Sequence, residues 1–243
     1  MHYFFIEGAS LAGGQVVELL PEDVNHVYRV LRLTKGAPVY IGDGLGMVFR
    51  GNIVAAGPRS VKVYLEQPVP SAEPPLNITL LQSLSKGEKM DLIVRQSTEL
   101  GVSRIIPVVT GHSIPNWGED KERRRLARWQ SIARSAASQC RRGRIPAIEP
   151  VANFSEALDV LPSNREGLTV VPWEDEKRFG VKDIYRQAFP PGGSVFLFIG
   201  PEGGFSESEI DALSVSGAVT VHLGPRILRT ETAAAVSLAL VQA

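Results

Sequence analysis

The sequence predicts an α/β protein of two domains, a small β-barrel followed by a larger domain built on a parallel sheet. Short strands separated by turns occupy the first 67 residues, a proline-rich segment follows, and strands then alternate with helices to the last residue. The length of 243 residues suits one or two domains of roughly 100–200 residues each.

The first domain is expected from residue 1 to residue 70. Its clearest strand is 60–66, where apolar and polar residues alternate, which is the pattern of a half-buried strand. Four further strands are predicted at 3–7, 15–20, 39–42 and 48–54. A helix is predicted from Pro21 to about Leu33, because proline stands near its start and acidic residues occupy its first turn. The glycine-rich residues 42–46 are expected to form a hairpin turn, since a strand follows them.

The second domain is expected from residue 74 to residue 243. It follows four prolines within residues 68–75, a stiff and extended segment that is typical of a domain joint. Apolar runs predict strands at 77–84, 104–109, 168–171, 195–199 and 219–223. Helices are predicted at 88–100, about 120–140 and 232–241, and a capping box of Ser206 and Glu209 predicts another. Strands that alternate with helices imply a parallel sheet covered on both faces.

Composition excludes several classes of protein. Hydrophobic residues make up 44% of the chain and charged residues 21%, which are ordinary globular values. No apolar run approaches the roughly 20 residues of a membrane helix, and residues 1–5 show no signal-peptide pattern, so we expect a soluble cytoplasmic protein. One cysteine, Cys140, and four scattered histidines provide neither an internal disulfide nor a zinc site, and no metal is expected.

The charge of the chain is unevenly distributed. Lysines and arginines number 26 and so do the acids, but residues 121–144 hold nine cations and one acid. Clustered cations are typical of a surface that binds phosphates, and the planar guanidinium of arginine can bind two phosphate oxygens at once. A solvated helix face is the alternative, and the charge alone does not decide between them.

Two loops that follow buried strands are the candidates for chemistry. Residues 200–205, GPEGGF, come after the apolar run 194–199, at the edge of the sheet where ligands bind in open α/β folds. Glycines there permit close approach of the backbone to a ligand. In residues 223–232, Ile227 and Leu228 stand between arginines, which suits a pocket for a flat, uncharged ring such as adenine. The alternatives are a tight turn for the first loop and a core plug for the second.

Several common motifs are missing from the sequence. It contains no GxxxxGK[ST], no GxGxxG between a strand and a helix, no HExxH and no GxSxG. A P-loop nucleotide triphosphatase, an ordinary dinucleotide-binding fold and the common glycine-fingerprint methyltransferase fold are therefore not indicated. The possibility that remains is a nucleotide-like ligand that is bound by the backbone of loops late in the chain.

Five segments together resemble the ribosomal RNA small subunit methyltransferase E (RsmE) family of the SPOUT class of methyltransferases. They are HVYRVLRL (26–33), KGEKMDLIVRQSTELGVSRIIPVVT (86–110), RWQSIARSAASQCRR (128–142), IGPEGGFSESE (199–209) and LGPRILRTETA (223–233). The resemblance implies an N-terminal PUA-like β-barrel that binds RNA and a C-terminal SPOUT domain with a deep trefoil knot. It also implies a homodimer that binds S-adenosylmethionine (SAM) in the knot. Ala37 and His112 depart from the residues that many relatives have.

The implied reaction is methylation of N3 of one uridine in small-subunit (16S) ribosomal RNA, whether as free RNA or as an assembled small subunit. Uridine N3 must lose a proton, so an anion stabiliser is expected; Arg229 is the candidate, with an ion pair to Glu231 or Glu202 as the alternative. The expected cofactor contacts are Pro172, Glu174, Gly200, Pro201, Glu202, Gly203, Leu223, Gly224, Ile227, Leu228 and Arg229. The expected RNA contacts are Arg29, Arg32, Arg141, Arg142 and Arg144.

Two other functions stay open at this stage. One is a non-enzymatic RNA-binding or ribosome-assembly factor with a degenerate pocket, and the other is a methyltransferase for another base or for transfer RNA. The intact residues 200–205 and 223–233 favour an enzyme. Cofactor binding would distinguish the first alternative, and the identity of the methylated nucleoside would distinguish the second. Trp117 and Trp173 are candidates for stacking on a base, whereas Trp129 is expected in the core.

Overall fold

The computed structural model describes residues 1–6, 8, 10–113, 117–162, 167–180, 183 and 193–242. The chain divides into two compact units, Met1–Glu73 with Ala137–Ile145, and Pro74–Ala136 with Pro146–Ala243. The division after Glu73 falls within the proline-rich joint. The segment Ala137–Ile145 belongs to the first unit, whereas the sequence analysis assigned it to the second.

The first unit contains a five-stranded sheet. Its strands are β1 (His2–Phe5), β2 (Val16–Glu18), β3 (Pro38–Gly42), β4 (Val48–Ala56) and β5 (Val61–Val69), in the order β1-β3-β4-β5-β2. β1 runs parallel to β3, and the other neighbours are antiparallel. The alternation predicted for β5 is confirmed, since Val61, Val63 and Leu65 are fully buried in the core of this unit.

The predicted turn between β3 and β4 is confirmed and has a clear cause. The Asp43 carboxylate accepts hydrogen bonds from the backbone N–H groups of Leu45, Gly46 and Met47, at 2.7, 3.0 and 3.0 Å. A short polar side chain that bonds to the backbone just ahead of it stabilises a tight turn.

The helix predicted from Pro21 to Leu33 is shorter and less regular than expected. An α-helix, α1, covers Pro21–Asn25, and a π-helical turn follows over His26–Val30. Val24 in α1 and Val27 in the π-helical turn are both buried in the core, so each segment contributes one apolar side chain to it. Arg32, just past the π-helical turn, has a φ of 52°.

The second unit contains seven parallel strands, as the alternation of strands and helices predicted. They are β6 (Asn77–Ser83), β7 (Arg104–Val109), β8 (Ala147–Ile148), β9 (Ala152–Asn153), β10 (Gly167–Pro172), β11 (Ser194–Ile199) and β12 (Val219–Val221). The order is β12-β10-β11-β6-β7-β8, and β9 also pairs with β7. The central strands β6 and β11 are buried along most of their length. β8 and β9, of two residues each, carry no periodicity from which they could be predicted.

Within the described residues, five helices belong wholly or mainly to the second unit. They are α2 (Lys89–Glu99), α3 (Glu119–Cys140), α4 (Phe154–Asp159), α5 (Glu207–Val215) and α6 (Thr230–Gln242). α6 packs against α2 and β11. The capping box predicted for α5 is confirmed, and the same motif, Asn153 with Glu156, begins α4, which the sequence analysis missed.

The expected burial of Trp129, in α3, is confirmed. Trp129 and Ala133 are fully buried. The Trp129 Nε1–H donates to the Asp91 carboxylate of α2 at 3.1 Å, and the Arg128 Nε–H donates to the same carboxylate at 2.7 Å. Asp91 therefore joins α2 to α3.

The described residues contain neither a membrane-spanning helix nor a cluster of metal-ligating side chains. No helix among them is long and apolar enough to cross a membrane. No group of three or more His, Cys, Asp or Glu side chains among them is arranged to hold a metal ion.

Candidate functional site

Two adjoining clefts lie in the second unit, beside the segments that follow β10, β11 and β12. The carboxyl ends of parallel strands meet at one edge of a sheet, which is where open α/β folds bind ligands. The cleft volumes are about 560 and 350 Å³, within the roughly 300–1,000 Å³ of ligand pockets. The residues that line both clefts are Pro172, Glu174, Ile227, Leu228 and Ala233.

The structure brings together ten of the eleven residues expected to contact a cofactor. Besides the shared residues, Leu223 and Gly224 line the larger cleft. Gly200, Pro201, Glu202 and Arg229 line the smaller one. Gly203 lines neither; its Cα faces His112 instead, and a Cβ built on Gly203 would lie 3.1 Å from the His112 Cβ.

Thr230, the first residue of α6, joins the two loops. Its hydroxyl donates to the Gly200 carbonyl oxygen at 2.7 Å and accepts from the Gln82 side-chain amide at 3.0 Å. Gln82 lies in β6, in the middle of the sheet, and is fully buried. The end of the second loop is therefore fixed to the start of the first.

Glu202 is the charged group of the first loop, and Lys89 holds it. The Lys89 ammonium donates to the Glu202 carboxylate at 2.7 Å, and the Lys86 backbone N–H donates at 3.3 Å. Partial burial tends to raise the pKa of Glu202, but the hydrogen bond from Lys89 and those from backbone N–H groups outweigh it and lower the pKa. Glu202 therefore carries a negative charge at the rim of the smaller cleft.

Lys89 is a site residue that the sequence analysis did not identify. It lines the smaller cleft and also lies 4.0 Å from the Glu231 carboxylate. The available signal was its position in KGEK, between a buried strand and a helix. Within the described residues, Glu202 and Glu231 both face Lys89, and no ion pair joins either of them to exposed Arg229. The structure does not support the bracing role for Arg229.

Gly204 has a backbone conformation that favours glycine, and it lies close to the Glu174 side chain. Its φ is 71°, and a Cβ there would lie 2.6 Å from a Glu174 carboxylate oxygen. The Gly204 carbonyl oxygen lies 3.0 Å from His112 Nδ1. This close approach brings the loop after β11 against the loop after β10.

A buried carboxylate supports the wall of the larger cleft. Glu176 is 5% exposed, and it accepts hydrogen bonds from the backbone N–H of Arg178 at 2.6 Å and from the Thr220 hydroxyl at 2.8 Å. These bonds, that from Arg178 foremost, lower the pKa of Glu176. The carboxylate ties the segment after β10 to β12 and so fixes the width of the cleft.

The second loop presents apolar side chains to the clefts. Leu223, Ile227 and Leu228 line the larger cleft with Trp173. Ile227 is 86% exposed. With Leu223, Leu228 and Trp173 in the same cleft wall, Ile227 extends an apolar patch of the kind that a ligand or partner covers.

The arginines expected to contact RNA fall into two groups. Arg29, Arg32, Arg141 and Arg144 are exposed. Arg142 is 2% exposed, and its guanidinium forms an ion pair with Glu73 at 2.8 Å. The assignment of Arg142 to RNA binding is therefore wrong, because its donor groups face the interior of the first unit.

Comparison with known proteins gives the family. Residues 72–242 match the family model described as RNA methyltransferase domain, and residues 19–66 match that described as RNA methyltransferase PUA domain. A Mycobacterium bovis ribosomal RNA small subunit methyltransferase E is 35% identical over 219 residues, which cover 89% of this chain and 82% of that protein. The chain belongs to the ribosomal RNA small subunit methyltransferase E family. The Bacillus subtilis member is 29% identical over 96% of this chain and 93% of its own.

Solved structures agree with this assignment. A Neisseria gonorrhoeae ribosomal RNA small subunit methyltransferase E, bound to SAM, is 33% identical and superposes with a TM-score of 0.87 over 100% of this chain and 97% of that one. A Legionella pneumophila protein, in complex with the bound cofactor SAM, is 32% identical, with a TM-score of 0.85 over 99% and 96%. The predicted combination of an N-terminal PUA domain and a C-terminal methyltransferase domain is confirmed.

Proposed function

We propose that this protein transfers a methyl group from SAM to N3 of a specific uridine in small-subunit ribosomal RNA. The observation that carries the proposal is the convergence of ten expected cofactor contacts on two joined clefts at the carboxyl edge of the sheet. Relatives at 33% and 32% identity were solved with SAM bound. Such a reaction belongs in the cytoplasm, where ribosomal RNA is processed.

The residues of the clefts fit SAM chemically. Leu223, Ile227 and Leu228 provide apolar contact for an adenine ring, and Glu174 and Glu202 provide negative charge for the cationic part of the cofactor. SAM supplies an electrophilic methyl group bound to a sulfonium sulfur. Because the leaving group is a neutral thioether, the reaction needs no metal. The protein's contribution is to hold the acceptor nitrogen in line with that methyl group, and such placement can account for much of a rate enhancement.

Arg229 is the proposed catalytic residue. It is exposed in the smaller cleft, and its neighbouring carboxylates face Lys89 instead. A guanidinium there can stabilise the negative charge on the uracil oxygens as N3 loses its proton. In Arg229→Ala we expect kcat to fall by about 10²–10³, the usual effect of removing one such donor, with a much smaller loss of SAM affinity in calorimetry. A near-normal kcat would contradict this role.

Exposed arginines of the first unit are the proposed RNA contacts. Arg32 and Arg141 are the non-glycine residues with positive φ in the described part of the chain, at 52° and 62°. Each ends a helical segment, a place where glycine is usual because a Cβ is strained there. Retaining arginine at both positions costs stability, which points to a use for the side chains. Arg29 and Arg144 complete the proposed RNA contacts.

The RNA contacts can be tested by replacing the two strained arginines with glycine. In Arg32→Gly and Arg141→Gly, relief of backbone strain should leave the free energy of unfolding unchanged or raise it by up to about 1 kcal/mol. Affinity for small-subunit ribosomal RNA should fall in filter binding. Arg59→Gly, at an exposed position in the same unit, is the control. RNA affinity equal to that of the control would exclude these two contacts.

A C-terminal trefoil knot and a homodimer complete the proposal. β12 is the edge strand of the sheet, yet Thr230, nine residues after Val221, bonds to Gln82 in β6 and to Gly200 after β11. The chain therefore returns from the edge of the sheet to its centre, as threading through a knot requires. Sedimentation at twice the monomer mass is the expected result for the dimer.

The deciding experiment is a methylation assay with labelled SAM. Its substrate is small ribosomal subunits that lack the modification, tested beside the free RNA, and its readout is nucleoside mass spectrometry. Label in N3-methyluridine is the expected result. Label in another nucleoside would support SAM as the cofactor but contradict uridine N3 as the site of methylation. Absence of both label and SAM binding would favour the non-enzymatic RNA-binding factor.

A further inference from the structure

One face of α3 carries four cations that the proposed function does not use. Lys121, Arg124, Arg125 and Arg128 stand at positions i, i+3, i+4 and i+7 of the helix, and this spacing places them side by side on one face. At a rise of 1.5 Å per residue they extend over about 10 Å. Arg125 is partly exposed, and the other three are exposed.

A tryptophan lies at the start of this face. Trp117 precedes α3 and is partly exposed. The Lys121 Nζ lies 5.9 Å from the centre of its ring, and the Arg125 guanidinium carbon lies 5.5 Å from it. On its inner side the Trp117 ring lies 6.0 Å, centre to centre, from buried Trp129. The ring thus has Trp129 behind it, and two exchangeable cations lie over it at the distances of cation–π contacts. We call Trp117 with these four cations the basic face.

The basic face is unfavourable for the helix that carries it. Like charges four residues apart, Lys121 with Arg125 and Arg124 with Arg128, repel each other. Lys121 also stands in the first turn of α3, where the positive end of the helix dipole disfavours cations. The nearby acid Asp120 pairs with Arg123, which points away from the basic face, at 2.6 Å. Arg124 donates to the Asp120 backbone carbonyl at 3.1 Å, and Arg128 donates to the Asp91 carboxylate. These contacts offset only part of the repulsion, and such a concentration of like charge is expected at functional positions.

Arg128 shows that the face is fixed as well as charged. Asp91 accepts hydrogen bonds from Arg128, which raise the pKa of its guanidinium. The Arg128 side chain nevertheless stays 55% exposed. A guanidinium held by a buried carboxylate but open to solvent can still donate to an external anion.

We propose that the basic face is a second RNA-binding surface, located on the methyltransferase unit, in which the cations contact neighbouring phosphates and Trp117 stacks on an unpaired base. The inference rests on the proposed function insofar as the substrate is RNA. Aromatic rings that alternate with cations are typical of sites for single-stranded RNA. An anionic membrane is a poorer match, because the apolar side of α3 is buried at Trp129 and Ala133 and cannot enter a bilayer.

The cations are tested with a triple variant, Lys121→Gln, Arg124→Gln and Arg125→Gln. Filter binding to a small-subunit ribosomal RNA fragment, without SAM, is measured over a range of salt concentrations. Each phosphate contact contributes roughly 0.7–0.9 to the slope of log K against log salt, so the slope should fall by about 2–3. Arg123→Gln, which removes an exposed cation from another side of the same helix, is the control and should bind as the wild type. A triple variant that matches the control in affinity and slope would overturn the proposal.

Stacking is tested separately at Trp117. Trp117→Leu should weaken RNA binding by at least about fivefold, whereas Trp117→Phe should retain most of the affinity. Equal losses in both variants, at equal stability in urea, would rule out stacking. Binding of the wild type and of the triple variant to phosphatidylserine vesicles tests for a membrane surface. A triple variant that loses vesicle binding while keeping its RNA affinity would identify a membrane surface and overturn the proposal.

The two proposals fail in distinguishable ways. If the wild-type protein methylates its substrate but the triple variant binds RNA with an unchanged salt slope, the basic face is not an RNA surface and the proposed function stands. If no methylation occurs but the triple variant loses RNA binding, the basic face stands and the proposed reaction fails. A wild-type protein that binds no RNA overturns the inference outright.

Discussion

The two loops at the candidate site follow β11 and β12, two strands of one sheet with β10 between them, yet they are held in different ways. Residues 200–205 are fixed throughout: Gly200 bonds to Thr230, Glu202 to Lys89, and the Phe205 ring is buried. In residues 223–229, by contrast, the Gly224 backbone N–H donates to His222 Nδ1 at 3.2 Å, while Arg226, Ile227 and Arg229 are exposed.

This difference suggests that the first loop contributes to stability and the second to ligand affinity. The first loop has an anchored backbone and a capping box behind it, and such restraint lowers the cost of ordering a loop on binding. The second loop is anchored at Thr230 and leaves apolar side chains uncovered, so a ligand that covers them gains binding free energy. Mutations in the first loop should therefore lower stability, and mutations in the second should lower affinity.

The largest effect is expected at Phe205. Its ring is 8% exposed and packs edge-on against Phe198 at 5.2 Å between centres. Phe205→Ala should lower the free energy of unfolding by about 3–5 kcal/mol, because it removes a core aromatic side chain and leaves a cavity. Urea denaturation measures this. Phe179→Ala, at a ring that is 44% exposed, is the control and should cost less than about 1 kcal/mol. A loss at Phe205 no greater than the control would mean that the first loop is not anchored by its ring.

The opposite behaviour is expected at Ile227. Ile227→Ala should change the free energy of unfolding by less than about 0.5 kcal/mol, as at other exposed positions. SAM affinity, measured by calorimetry, should fall about tenfold or more, because covering a side chain of this size contributes about 1.5–3 kcal/mol. Val215→Ala, 90% exposed at the end of α5, should alter neither quantity. Unchanged SAM affinity in Ile227→Ala would show that the cofactor does not cover this side chain.

Both loops could be located from the sequence, but their anchoring could not. An apolar run followed by glycine marks the end of a buried strand, and this local pattern gave the positions of residues 200–205 and 223–229. The bond between Lys89 and Glu202 joins residues 113 apart, and that between Gln82 and Thr230 joins residues 148 apart. Periodicity reports neighbours within a few residues and carries no information about such pairs.

Arg141 and Arg142 show the same limit at adjacent positions. Both are cations in one basic run, and composition treats them alike. In the structure Arg141 is exposed, whereas Arg142 is buried against Glu73, 69 residues earlier. The left-handed backbone at Arg141 turns the two side chains in different directions. Which of two neighbouring arginines remains available to RNA depends on the partner across the fold.

The smallest effect is expected at the ion pair of the first loop, and it depends on pH. The pKa of Glu202 is lowered in the folded protein, so its ionised form stabilises the fold above the unfolded pKa of about 4.3, and this contribution disappears as the pH falls through the folded value. At pH 7 Glu202→Gln should cost up to about 1 kcal/mol, because the pair is partly open to solvent and screened. Urea denaturation at pH 7 and at pH 3 should show the difference from the wild type shrinking at the lower pH.

The control for this measurement is Glu99→Gln, at an exposed residue of α2 away from the clefts. Its difference from the wild type should be small at both pH values. If Glu202→Gln lost no stability at pH 7, the bond to Lys89 would contribute nothing to anchoring the first loop, and Thr230 and Phe205 alone would hold it. If the loss were the same at pH 3 as at pH 7, it would come from the shape of the side chain, since the charge on Glu202 differs between the two conditions.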